Sequence, residues 1–262
     1  MAVCCCWTVE KAEEVVDMEK TNMAAAVKGN SKLCVFIHVL FFAWYVFTLR
    51  ENCSLQITEK HPGARSYGGR WKYLTFINLV LQTVFFGVCV LTDLIHTLLP
   101  SKSAHSRLPR CLVTLRDVFF TVIAFPLGVF VFASFWSLYT YDRNLVYPKY
   151  LDDIIPLWLN HAMHTVILPL LLVQMYLQPH KHPSRLNGIL ALALFASLYL
   201  AWVLWVRHIS GIWVYPIMAR LSPMGLALFL SAASFSLAPL YLLGEKLSHA
   251  IWSPTDYQKK KK

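Results

Sequence analysis

The chain has 262 residues, of which 57% are hydrophobic and 15% are charged, and its mean hydropathy of +0.50 is far above that of a soluble domain. The long apolar runs exclude a disordered or collagen-like chain, and they leave a membrane protein as the fitting class. The net charge of +10 would suggest nucleic-acid binding in a soluble chain, but the 24 lysines and arginines lie almost wholly between apolar runs. We therefore expect them to orient membrane helices, with no nucleic-acid partner.

The first segment, residues 1–32, is too polar to cross a membrane. It alternates acidic residues with lysines and lacks the basic and then apolar stretches of a cleaved signal. We expect a flexible or loosely helical tail. Its Cys4, Cys5 and Cys6 are candidates for S-acylation. None of the seven cysteines forms a CxxC pair, so their spacing predicts neither a disulfide framework nor a zinc site.

The rest of the chain contains six apolar stretches of the length needed to cross about 30 Å of hydrocarbon. They cover residues 33–49, 72–95, 118–139, 155–177, 186–206 and 224–243. The connections are short and no internal repeat is visible, so we predict one all-α bundle of six transmembrane helices over residues 33–252. A basic tail over residues 253–262 follows it.

Six crossings place both termini on one side of the membrane. The terminal side carries 15 lysines and arginines against 9 on the other side, which predicts cytoplasmic termini, although the first loop argues mildly against it. The sequon at Asn52 then lies on the lumenal side, too close to the membrane for use. The run Lys259–Lys262 is typical either of a segment that binds anionic lipid or of a signal for retrieval to the endoplasmic reticulum. The sequence is therefore compatible with residence in the endoplasmic reticulum or in the plasma membrane.

The second predicted span carries a stripe of polar residues. On a helical wheel Lys72, Asn78, Gln82 and Asp93 fall within about 60° of Thr75. Such a stripe has to face protein or water, because polar groups facing lipid are expensive. Asn78 and Gln82 taken alone are typical of hydrogen bonds between helices. Together with a hydroxyl and two charges, they favour the wall of a polar cavity.

The fourth predicted span carries Asn160, His161 and His164 on one helical face. Two chemistries are open. As metal ligands the two histidines need a third donor, for which Asp93, Asp152 or Asp153 would have to come close, and nothing in the sequence fixes it. As a general base, one histidine needs only a nucleophile within hydrogen-bond reach.

Depth in the membrane offers a partner for that base. If the second helix opens at Gly68 and the fourth at Pro156, Thr75 lies about 9 Å and His164 about 12 Å below the same surface, so the two side chains are expected to meet. Pro126 and Pro169 are predicted to kink their spans. The sequence contains no G-x-S-x-G elbow, H-E-x-x-H site, phosphate-binding loop or kinase signature.

Several long strings make the chain resemble a known family. They are YGGRWKYLTFINLVLQ (67–82), AFPLGVFVF (124–132), YDRNLVYPK (141–149), IPLWLNHAMHT (155–165), GIWVYP (211–216) and YLLGEKL (241–247). The sequence is similar, from about residue 33 to 252, to the androgen-induced protein and androgen-dependent TFPI-regulating protein family. The resemblance implies a six-span threonine hydrolase, without metal or cofactor, that cleaves fatty acid esters of hydroxy fatty acids. It places the nucleophile on Thr75 and the catalytic histidine on His164, and it gives His161 no role.

Three further roles stay open at this stage. Asn78 or Asn160 is a candidate donor to the oxyanion that develops at the ester carbonyl. Lys72 either holds the free carboxylate of the acidic lipid or extends towards the headgroups, and Gln82 and His161 complete the candidate substrate or oxyanion contacts. The rival functions are a non-catalytic lipid carrier or lipid-binding protein, a regulatory membrane protein, and a metal-dependent enzyme built on the histidine pair.

Overall fold

The computed structural model describes residues 31–55, 67–98 and 107–252, and the regular elements within those ranges are all helical. Six helical segments are long and apolar enough to cross a membrane, which confirms the predicted number of spans. They are numbered spans 1 to 6 and cover Lys32–Ser54, Leu74–Leu98, Arg107–Leu145, Leu157–Leu177, Arg185–Ser210 and Pro223–Trp252. Cys4, Cys5, Cys6 and the run 259–262 lie outside the described residues, and the orientation of the termini stays a prediction.

The described part of the chain contains ten α-helices, nine of which build the spans, while Pro216–Arg220 lies between spans 5 and 6. Their bounds are Ser31–Ser54, Leu74–Leu98, Arg107–Val118, Phe125–Asp142, Leu157–His164, Ile167–Leu177, Arg185–Ser210, Pro216–Arg220, Pro223–Phe235 and Leu237–Trp252 in the described part of the chain. Spans 1, 3 and 5 end, and spans 2, 4 and 6 begin, at one face of the bundle, which we call the site face. The opposite face is called the network face, because it contains the hydrogen-bonded polar side chains around His38 and His180.

Several spans are longer than the sequence predicted, and spans 3 and 6 differ most. Span 3 begins at Arg107 rather than at residue 118, and span 6 continues to Trp252 rather than ending at residue 243. The early turns of span 3 carry charges that lowered its hydropathy. Two of those charges neutralise each other inside the bundle, since Arg116 Nη2 lies 2.8 Å from Asp117 Oδ1 and both side chains are buried or nearly so.

Prolines interrupt three spans, because a proline has no N–H to give to the preceding turn. In span 3 a π-helical stretch, Phe119–Ala124, directly precedes the helix that contains Pro126. In span 4 the helix breaks after His164 and resumes at Ile167, two residues before Pro169. A third break, at Ser236 before Pro239, was not predicted. The break in span 4 makes His164 the last residue of its helix.

A fully buried aromatic core holds spans 1, 2 and 3 together. Its largest side chains include Tyr45, Phe85, Phe86, Phe120 and Phe125, each with at most 2% of its surface exposed. Many other large apolar side chains point outwards instead, such as Phe36, Leu194 and Phe235. This arrangement is typical of a bundle whose outer surface is covered by lipid rather than water.

Candidate functional site

Thr75 lies at the very start of span 2, where several contacts fix the backbone. A 3-10 turn, Gly69–Lys72, precedes the helix, and Gly68 enters that turn with φ of 86°, a conformation that favours glycine. The Leu74 N–H donates to the Tyr215 hydroxyl at 2.9 Å, and Tyr199 donates to the Lys72 carbonyl at 3.0 Å. Span 2 is thus tied to span 5 and its following segment one residue before Thr75.

The structure brings Thr75 and His164 into contact. The distance from Thr75 Oγ1 to His164 Nε2 is 3.2 Å, within hydrogen-bond reach. The helix of span 2 begins at Leu74 and not at Gly68, so Thr75 is shallower in its own helix than the depth argument assumed. The two side chains meet although the assumed helix start was wrong by several residues.

His164 is held in one orientation by its neighbours. Its Nδ1 lies 2.9 Å from Asn160 Oδ1 and 3.0 Å from the Asn160 carbonyl oxygen, and both of these atoms are acceptors. Nδ1 must therefore carry the proton, which leaves Nε2 as the acceptor that faces the Thr75 hydroxyl. The ring also stacks on Phe135 with centroids 3.6 Å apart. The site thus consists of a hydroxyl, an imidazole and an amide oxygen in series.

Two cavities meet at this pair. The bundle cavity has a volume of about 130 Å³ and lies between spans 2, 3, 5 and 6. The loop-side cavity has a volume of about 510 Å³ and lies among the connecting segments of the site face. Thr75, Phe135, Val146 and Tyr215 line both cavities, whereas His164 lines the loop-side cavity. A molecule with two arms can therefore place its junction at Thr75.

The other polar residues of the predicted stripe do not line these cavities. Gln82 Nε2 donates to the Ala124 carbonyl at 2.8 Å and to Asn78 Oδ1 at 3.3 Å, and both side chains are buried. Gln82 therefore links span 2 to the π-helical stretch of span 3. Gln82 thus bonds between helices, whereas the bond of Asn78 lies within span 2, and neither side chain lines a cavity.

Lys72 also lies away from both cavities. It belongs to the 3-10 turn rather than to the helix of span 2, and only 2% of its surface is exposed. Its ammonium lies 5.2 Å from the centre of the Tyr73 ring, and burial lowers the pKa of the lysine. Arg70, two residues earlier, does line the loop-side cavity. Sequence reasoning missed Arg70 because a continuous α-helical wheel places it about 140° from Thr75, whereas the chain forms a 3-10 turn over Gly69–Lys72.

His161 is close to His164 in sequence but makes different contacts. Its Nδ1 lies 2.9 Å from Thr165 Oγ1, and its ring stacks on Trp136. Within residues 31–55, 67–98 and 107–252, no three His, Cys, Asp or Glu side chains come together as a metal site would require. Of the suggested third ligands, Asp152 pairs with Arg143 and Asp93 pairs with His38.

Asp93 belongs to a second polar cluster at the network face. His38 Nδ1 lies 2.5 Å from Asp93 Oδ2, and His38 Nε2 lies 2.9 Å from Gln174 Oε1. Gln174 Nε2 continues to His180 Nε2 at 3.4 Å, and His180 Nδ1 reaches Asp117 Oδ1 at 3.1 Å. Spans 1, 2, 3 and 4 are thereby connected by side chains that are far apart in sequence.

The chain is similar to a known protein family over most of its length. The family model described as FAR-17a/AIG1-like protein matches residues 33–249. The human androgen-induced gene 1 protein is 46% identical over 210 residues, which cover 78% of this chain and 88% of that protein. The human androgen-dependent TFPI-regulating protein is 42% identical over 229 residues, which cover 87% of this chain and 97% of that protein.

A more distant relative comes from Schizosaccharomyces pombe, in a protein whose name describes it as a membrane protein. It is 26% identical over 185 residues, which cover 68% of this chain and 75% of that protein. No solved structure matches the chain.

Proposed function

The chain belongs to the FAR-17a/AIG1-like family, and we propose that this multi-pass membrane protein is an ester hydrolase with Thr75 as nucleophile and His164 as general base. The observation that carries the proposal is the 3.2 Å contact between Thr75 Oγ1 and His164 Nε2 at the junction of two cavities. A threonine hydroxyl is a weak nucleophile until a base takes its proton. His164 has its acceptor nitrogen directed at that hydroxyl.

In the first half of the reaction, Thr75 Oγ attacks the ester carbonyl carbon while its proton passes to His164 Nε2. The bond between that carbon and the alcohol oxygen then breaks, and the imidazolium returns the proton to the departing alkoxide. The products of this half are a free alcohol and an acyl ester on Thr75. The hydrogen bonds from Nδ1 to Asn160 keep the ring aligned while it carries the extra proton.

In the second half, water replaces the alcohol. His164 Nε2 takes a proton from the water as its oxygen attacks the acyl carbon, and the imidazolium then protonates the Thr75 oxygen as the acyl–oxygen bond breaks. The free carboxylic acid leaves and Thr75 is regenerated. The loop-side cavity, which His164 and Thr75 both line, is where this step places the water.

The substrates we propose are fatty acid esters of hydroxy fatty acids. Such a molecule has two long apolar arms joined at an ester, which matches two largely apolar cavities that meet at Thr75. Asn160 is better suited to orient His164 than to donate to the oxyanion, because its side-chain oxygen faces the imidazole. The enzymatic reading competes with a non-catalytic lipid carrier, which would use the same cavities without the chemistry.

The test is hydrolysis of the palmitoyl ester of hydroxystearic acid by membranes that hold matched amounts of each variant. Thr75→Ala and His164→Ala should lower the rate at least a hundredfold, a loss typical of a missing nucleophile or base, while Thr75→Ser keeps some activity. Thr83→Ala is the matched control, since the Thr83 hydroxyl bonds only the Leu79 carbonyl among the described residues. His161→Ala is the matched control for the histidine.

Three outcomes would overturn the proposal. Full activity in folded Thr75→Ala protein would refute the nucleophile. Activity lost only with a strong chelator would favour a metal enzyme built on other residues. No hydrolysis by the wild type, combined with saturable lipid binding, would favour the carrier.

A further inference from the structure

The two cavities differ in the charge of their walls. The bundle cavity is lined by aliphatic and aromatic side chains together with serine, threonine and tyrosine hydroxyls, and no charged residue is among its described lining. The loop-side cavity also has many apolar side chains, but Arg70 is the one lysine, arginine, aspartate or glutamate among the described residues that line it. Of the two cavities, the loop-side cavity is therefore the one whose wall contains a cationic side chain.

Contacts of Arg70 place its guanidinium at the cavity wall. Its Nη2 donates to the Leu55 carbonyl at 2.6 Å, and Leu55 itself lines the same cavity. This bond holds the head group between the end of span 1 and the 3-10 turn before Thr75. A guanidinium carries five N–H donors in a planar fork that matches the two oxygens of a carboxylate, and within residues 31–55, 67–98 and 107–252 only the Leu55 carbonyl accepts from it.

A free carboxylate restricts how an acidic lipid can enter a membrane site. Burial of an unpaired carboxylate in hydrocarbon is costly, so the acidic end has to stay near the surface or meet a cation. Lys72 is not suitable, because it is almost fully buried and does not line the cavity. Arg70 lines the cavity at the site face, among the connecting segments rather than within a span.

We propose that the loop-side cavity binds the hydroxy fatty acid arm of the substrate with its free carboxylate on Arg70, while the acyl chain occupies the bundle cavity. Arg70 is then the residue that selects acidic esters over neutral ones. This inference rests on the proposed function for the reaction, but the binding it describes does not require turnover.

Binding is the first test. Radiolabelled hydroxystearic acid and its methyl ester are titrated onto purified Thr75→Ala protein in detergent, with and without Arg70→Gln. Arg70→Gln should weaken binding of the acid by about tenfold to a hundredfold, the size of one charge-assisted hydrogen-bonded pair, and change binding of the methyl ester by less than about twofold. Arg70→Lys should recover part of the loss, since it restores the charge but not the planar fork.

Arg50→Gln provides the matched control. Arg50 is also at the site face and loses the same charge, but its side chain is 78% exposed and it does not line the cavity. Thr75→Ala protein that also carries Arg50→Gln should bind both lipids as tightly as Thr75→Ala protein does. Unchanged binding of the methyl ester also shows that the Arg70 variants are folded.

Hydrolysis supplies the second test. The palmitoyl ester of hydroxystearic acid and the same ester with its carboxyl methylated are compared in wild type and Arg70→Gln. We expect Arg70→Gln to raise the KM of the ester with the free carboxyl and to leave the KM of the methylated ester unchanged. Equal effects on the acid and the methylated substrate, or acid binding that ignores Arg70, would overturn it. Arg70-dependent binding without any hydrolysis would keep this inference and refute the proposed function.

Discussion

The bundle contains two polar clusters, one at each face, that use similar residues in different ways. At the network face His38, Gln174 and His180 are each bonded through more than one polar atom, and the chain of contacts ends on Asp93 and Asp117. At the site face Thr75 and His164 make one contact with each other and lie beside open cavities. The polar groups at the network face hydrogen-bond the helices to one another, while those at the site face leave reactive atoms accessible.

Structural and chemical roles of polar groups in a membrane bundle can be separated by how completely each group is hydrogen-bonded. Buried polar groups are costly unless they are satisfied, and the network face satisfies them with partners from four spans. A reactive pair has to remain incompletely satisfied so that a substrate can complete it. The comparison predicts that changes at the network face lower stability, whereas changes at the site face lower activity.

The largest expected effect on stability comes from Asp117→Ala. This change removes the carboxylate that Arg116 and His180 both contact, and it leaves a buried arginine without that partner. Breaking a buried ion pair typically costs about 3–5 kcal/mol, so we expect the midpoint of thermal unfolding in detergent to fall by about 10 °C. Thr75→Ala should leave that midpoint nearly unchanged.

Asp152→Ala is the control for Asp117→Ala. Asp152 also pairs with an arginine, at 2.7 Å from Arg143, but its side chain is 52% exposed. An exposed pair contributes about 1 kcal/mol or less, so the unfolding midpoint should move by only a few degrees. Equal losses for the two aspartates would contradict the role given to the network.

The next effect is on turnover and concerns Asn160. Asn160→Ala removes an acceptor that holds the Nδ1 proton of His164, so the ring can turn and lose its alignment with Thr75. We expect kcat to fall about a hundredfold with little change in KM. Asn160→Asp keeps the acceptor and should recover much of the loss. Wild-type kcat in folded Asn160→Ala protein would show that Asn160 does not position the base.

The smallest effect is a pH dependence of stability at the network face. Burial is the largest cause that lowers the pKa of His180, to about 4 from an ordinary value of 6.5. The unfolded chain therefore binds a proton at this position more readily than the folded protein. Stability from this group is complete above about pH 6.5 and is lost as the pH falls towards 4.

Thermal unfolding measured between pH 7.5 and pH 4.5, in steps of about half a unit, checks this sign. His180→Gln should flatten the fall in the unfolding midpoint towards acid. The exposed His208 serves as the control, and His208→Gln should keep the wild-type slope. A midpoint that rises on acidification and loses that rise in His180→Gln would contradict the assignment.

The sequence was sufficient for the number of spans because apolar length alone sets it. It was less suited to the ends of span 3, where Arg107 to Asp117 resemble a loop until their charges pair in the bundle. The pattern around Thr75 and His164 also identified two residues that the structure places in contact. Local spacing was enough there because each residue lies near the start of its span.

The helical wheel gave a misleading position for Asp93. Thr75 and Asp93 share one side of span 2, but 18 residues of helix separate them by about 27 Å along the axis. A wheel shows direction and discards this axial distance, so Asp93 was grouped with the candidate site rather than with His38. The network itself could not be predicted, since His38 lies 55 residues from Asp93 and 136 from Gln174, and His180 lies 63 residues from Asp117.

The position at which an alkyl fluorophosphonate attaches identifies the nucleophile without the need for a lipid substrate. The Thr75 oxygen should displace fluoride from phosphorus and form a stable ester, which peptide mass spectrometry locates on the chain. We predict a single label on Thr75 in the wild type and a strongly slowed reaction in His164→Ala. Labelling at another residue, with hydrolysis lost in parallel and Thr75 unmodified, would contradict the account.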